Sequence, residues 1–153
     1  MSGAEPTYRD YAEALVGAVD AALPGWVERS VTALVTAYRG RPVPEVAEEA
    51  ARAGGLARAE VVPRLRALVE ADVDAQATTP LALLRRAVSY PAGVLRAAGV
   101  PPVERDDFSR AAFPDDDYGL TPSSWGDVDP ALTEPGLAWG AAKALAHLRR
   151  HRP

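Results

Sequence analysis

The sequence predicts an all-α fold, a single compact bundle of six or seven helices over residues 1–153, and three observations carry that prediction. Apolar residues recur at spacings of three and four through nearly every segment. No run shows the alternation of β-branched and polar side chains that marks a strand. Proline and glycine cut the chain into helix-sized pieces. Only 103–134 departs from this pattern, and it is expected as an irregular proline-, aromatic- and acid-rich segment laid across the bundle.

Taken in order, Thr7 stands before a stripe of Tyr8, Tyr11, Ala12, Leu15, Val19, Ala22 and Leu23, with Asp10 three residues on as a capping-box partner. Leu23-Pro24-Gly25 predicts a break. A second helix then carries Val27, Val31, Leu34, Val35 and Tyr38 to a C-terminal Gly40, so the two read as a helical hairpin. Pro42 and Pro44 open a short third helix, Glu45–Ala53, expected to stop at Gly54-Gly55. The fourth, starting near Glu60 so that Pro63 falls in its first turn, runs to about Ala77 on Val62, Leu65, Leu68, Val69 and Val73. Thr79-Pro80 caps a fifth, kinked at Pro91 and ended by Gly99. A short helix is expected near Asp106–Phe113 and one helical turn after Thr121-Pro122. The last helix, about Pro135–Arg150, is expected to bury Leu137, Ala141, Ala144, Leu145 and Leu148.

Composition removes several function classes. The 153 residues are 48% hydrophobic and 25% charged, ordinary for a folded chain. There is no cysteine, which excludes disulfides, thiol catalysis and cysteine-ligated metal. No apolar run approaches the roughly 18–20 residues of a membrane span, and Met1–Asp10, with Glu5 and Asp10, does not read as a secretory signal. The expected setting is the cytoplasm. Thirty-one alanines and 16 arginines against a single lysine, Lys143, fit a bacterial genome of high GC content.

Charge is segregated. Residues 104–134 hold nine acids against Arg105 and Arg110, a net of −7, whereas 135–153 hold Lys143, Arg149, Arg150 and Arg152 with no acid. The acidic stretch also carries Phe108, Phe113, Tyr118 and Trp125. A solvated loop does not need four aromatics; either they pack on the helices or they anchor a partner. The candidate partner-binding residues are therefore Phe108, Phe113, Asp115, Asp116, Asp117, Tyr118 and Trp125, facing a basic protein or the basic tail of a second copy.

Motifs for chemistry are weak. Asp115-Asp116-Asp117-Tyr118-Gly119 fails as a calcium loop, because registering Gly119 as the turn glycine puts Pro114 and Trp125 at the ligating ends. His147 and His151 share a helical face but have only arginines around them, so no metal is expected. No serine sits in a nucleophile elbow, and Gly54-Gly55 lacks the lysine of a phosphate loop. Asp72 and Asp74 diverge on a helix and cannot share a site.

Three functions follow. The first is a non-catalytic protein–protein interaction or adaptor protein, pairing with another protein or with itself and needing no cofactor. The second is a DNA-binding regulator with a helix-turn-helix at about 45–70 and Arg58 on its second helix. The formal net charge of −4 opposes it. The third is a bundle holding a small ligand near Arg85, Arg86, Tyr90, Trp125 and Trp139.

Overall fold

The computed structural model describes residues 5–71 and 79–150, and among them every regular element is helical. Two long helices, α1 (Tyr8–Arg39) and α2 (Pro44–Glu70), form an antiparallel hairpin. α3 (Pro80–Arg86) and α4 (Ser89–Ala97) follow, then α5 (Asp107–Ala112), α6 (Trp125–Val128), a 3-10 turn at Pro130–Leu132 and α7 (Thr133–Arg150). α1 is the central strut, packed by α2, α4 and α7.

The start of α1 is the capping box the sequence predicts. Thr7 Oγ1 accepts from the Asp10 N–H at 3.3 Å, and the Asp10 carboxylate accepts from the Thr7 N–H at 2.8 Å. Its end is Gly40 in the left-handed region, φ 76°, donating to Thr36 O. Between them the predicted break at Pro24-Gly25 does not occur: α1 runs unbroken for 32 residues, about 48 Å. An interior proline costs a helix about 3 kcal/mol. Burial on both sides offsets that cost, because Val19, Ala22, Leu23, Trp26 and Val27 keep one face into the core through Pro24.

The expected stop at Gly54-Gly55 and the restart near Glu60 are likewise replaced by one continuous helix, with Pro63 in its interior. Gly54 is a crossing point. A Cβ there would lie 2.9 Å from Pro24 O and 3.0 Å from Pro24 Cα, so the missing side chain lets α2 approach α1 at the proline. The ion pairs Asp20–Arg58 and Glu13–Arg66 continue the same antiparallel register from the crossing toward the N-terminus of α1. α2 ends at Glu70, and the predicted continuation to Ala77, with Asp72 and Asp74, lies outside the described residues.

Thr79 caps α3 through Oγ1, which accepts from Ala82 N. The kinked fifth helix is two helices, parted at Ala87-Val88. Pro91 is the physical reason. It has no N–H to give the Ala87 carbonyl, which accepts instead from Tyr90 N, three residues on, at 3.1 Å. Gly99, φ 76°, ends α4 as expected.

Two apolar clusters result. The larger joins α1, α2, α3 and α7 around Leu15, Leu23, Trp26, Leu65, Leu84, Leu132 and Trp139. The smaller lies around Val31, Val35, Leu95, Val100 and Tyr118.

Candidate interaction surface

The aromatic–acidic segment is laid on the bundle, and most of its candidate residues are engaged there. Tyr118 is buried in the smaller cluster and donates from Oη to Val100 O at 2.7 Å; burial raises its pKa. Asp116 is the one buried charged residue among the described residues. Its carboxylate accepts from Leu120 N, Thr121 N and Thr121 Oγ1 at 2.7–2.9 Å. Burial by itself would raise the Asp116 pKa, but these three donors and the nearby Arg105 charge outweigh it and hold the carboxyl below its usual range. Thr121 is thereby committed to Asp116 and does not cap a helix. The helical turn expected after Thr121-Pro122 begins instead at Trp125, where Asp127 accepts from Ser123 N.

Asp117 is half-buried and paired with Arg96 at 3.1 Å. Trp125 is half-buried against Gly136, at which a Cβ would come within 2.6 Å of the indole. Phe113 is half-buried, while Asp115 and Phe108 are exposed, Phe108 at 75%. Burial takes Tyr118 and Asp116 out of the predicted surface; Phe108 and Phe113 line one groove of about 440 Å³ with Glu104, Arg105 and Asp106, and Asp115, Asp117 and Trp125 are not part of it.

Nor do the residues of the predicted ligand pocket converge. Arg85 and Arg86 line a groove of about 490 Å³ with Arg96, Phe113, Asp115 and Asp116. Arg85 is held by Pro122 O and Ser123 O and Arg96 by Asp117, while Arg86 is exposed. Tyr90 donates to Glu60 on α2, and Trp139 lies across the molecule beside Tyr8. The helix-turn-helix has no turn, because α2 is unbroken from Pro44 to Glu70, and Arg58 lies 4.0 Å from Asp20 of α1. No group of three His, Asp or Glu side chains able to hold a metal occurs among the described residues, and none of their helices is long and apolar enough to cross a membrane.

The apolar surface is on α7. All five residues expected to be buried there are exposed: Leu137 at 67%, Leu145 at 49%, Leu148 at 67%, and Ala141 and Ala144 with them. The helix is anchored by its opposite side, where Leu132 and Trp139 are buried and Gly136 receives Trp125. Lys143 lies over the Trp139 ring, 5.1 Å from its centroid, so even the one cation in mid-helix sits off the outer face. From Pro135 to Ala146 every residue but Lys143 is apolar or small, which left the sequence no phase from which to choose the inner side. The signal that was available was size: Trp139 has more surface to bury than any leucine of this helix.

Leu137, Gly140, Ala141, Ala144, Leu145 and Leu148 thus occupy an arc of about 140° at 100° per residue. Beside it, a groove of about 750 Å³ between α7 and the start of α1 is lined by Pro6, Tyr8, Tyr11, Ala138, Ala142 and Leu145. At this seam the buried Tyr8 Oη and Trp139 Nε1 have no hydrogen-bond partner. Glu134 and Arg149, at the two ends of the stripe, are exposed and unpaired among the described residues. The chain matches no protein-family model, no curated protein and no solved structure at a significant level.

Proposed function

We propose that the chain is a non-catalytic protein–protein interaction protein and that the outer face of α7 is its docking surface. One observation carries the reading: three leucines exposed along one side of a helix, with only Gly140, Ala141 and Ala144 between them. Single exposed leucines are ordinary on a protein surface, but an uninterrupted stripe marks an interaction site. The occupant this face fits is an apolar helix with carboxylates near one end, because Glu134 stands exposed at the start of the stripe and Arg149 at its end. We infer a bacterial source from the alanine–arginine bias, and a cytoplasmic setting from an N-terminus that does not read as a secretory signal.

Photo-crosslinking in the cells of origin tests this. A benzoylphenylalanine at Leu145 is expected to give a defined protein adduct, and the same group at Phe108 is not. An adduct at Phe108 with none at Leu145 would return the surface to the aromatic–acidic segment, and no adduct at either position would overturn the interaction reading.

A further inference from the structure

Resting on that docking face, we propose that its occupant is the α7 of a second copy of this chain, packed antiparallel in a two-fold homodimer. The stripe is self-complementary in one register. With the axis between residues 142 and 143, Leu137 lies opposite the partner's Leu148, Ala141 opposite the partner's Ala144, and Leu145 opposite the partner's Gly140. Small residues meet at the centre, where the helix axes approach most closely, and large ones close the ends.

Charge selects the direction. The antiparallel arrangement carries the C-terminal end of α7, where Arg149 is exposed, to the partner's N-terminal end, where Glu134 is exposed and unpaired among the described residues. A parallel pair would instead set both basic ends side by side, which like-charge repulsion disfavours. The stripe from Leu137 to Leu148 is only about 17 Å long, so the interface falls below the roughly 800 Å² per partner of a standard complex and the dimer is of the concentration-dependent kind.

Sedimentation of the full chain from about 1 to 500 µM should show the mass rising from 16.2 kDa toward about 32 kDa. The absence of cysteine makes the register directly readable. Oxidised Leu137→Cys/Leu148→Cys protein is expected to become a covalent dimer, whereas either single variant stays monomeric until the two are mixed. Within one chain the two positions are about 17 Å apart, beyond disulfide reach. Glu134→Arg should weaken the dimer about two- to five-fold, and Arg149→Glu in the same chain should restore it. A covalent dimer from Leu137→Cys alone, or a monomer at every concentration, would overturn the proposal. A monomer that still gives a photo-adduct with a different protein from position 145 would overturn the homodimer and leave the docking face standing. No adduct of any mass would remove both.

Discussion

Between Val103 and Glu134 the chain has few helical turns to satisfy its polar groups, yet those groups are met from all sides. Val103 N donates to Asp117 O, Arg105 to Ser109 O and Phe113 O, Arg85 to Pro122 O, and Arg29 to Val128 O and Asp129. α7, next in the chain, is the reverse. Its backbone satisfies itself, and its side chains have too little to lie against: leucines face outward, and Tyr8 Oη and Trp139 Nε1 are unpartnered at its seam with α1. The hydrogen bonds fix the backbone of the irregular segment on its neighbours and take Tyr118 and Asp116 inside, leaving Phe108 as its one large exposed apolar side chain among the described residues. A helix needs nothing from its neighbours except burial of one side, so its other side is available.

The same substitution made in the two regions should therefore have very different effects. Leu132, at the junction of segment and helix, is fully buried in the larger cluster. Leu132→Ala should cost about 2–5 kcal/mol, read from denaturant unfolding with an unchanged slope. A loss under about 1 kcal/mol would mean that the end of the segment is not fixed on the bundle as described.

Asp116 tests the segment by itself. Its folded-state pKa is depressed, so its contribution to stability is complete above the unfolded value near 4 and is lost as pH falls through and below it. Asp116→Asn keeps the shape but turns one acceptor into a donor, facing either Leu120 N or the Thr121 N–H and hydroxyl, and should cost about 1–3 kcal/mol at pH 7. It should also flatten the loss of stability as pH falls below about 4, where the wild-type group takes up its proton. An acid limb identical in the two proteins would show that this carboxylate is not the one being titrated.

What the sequence made legible were the local devices. Thr7 with Asp10, Thr79, Asp106, Gly40 and Gly99 act where their chemistry implies, since a cap is decided by residues within one turn of it. Pro24 and Gly54 misled for a shared reason. Each is a helix breaker by local propensity, and each is tolerated because it meets the other across the α1–α2 crossing, a contact thirty residues apart in sequence. The apolar stripe through Val19, Leu23, Trp26 and Val27 crosses Pro24 without a change of phase, and its burial outweighs the proline. The acidic segment is irregular, as its prolines imply, but its polar groups are answered by Arg29, Arg85 and Arg96 on distant helices, pairings that no local pattern announces.

α7 is the harder case, because counting apolar residues along a helix says how much could be buried and not which side is. If Leu137 were core, as its spacing suggests, Leu137→Ala would match the loss at Leu132. At 67% exposure the expected change in dilute solution is within about 0.5 kcal/mol, the smallest effect considered. Thermal unfolding at several protein concentrations separates the two causes it could have. Should the wild-type midpoint rise with concentration while the Leu137→Ala midpoint does not, the leucine contributes to association and not to the fold. A concentration-independent loss of about 2 kcal/mol or more would instead place Leu137 against its own chain and close the α7 face as a surface.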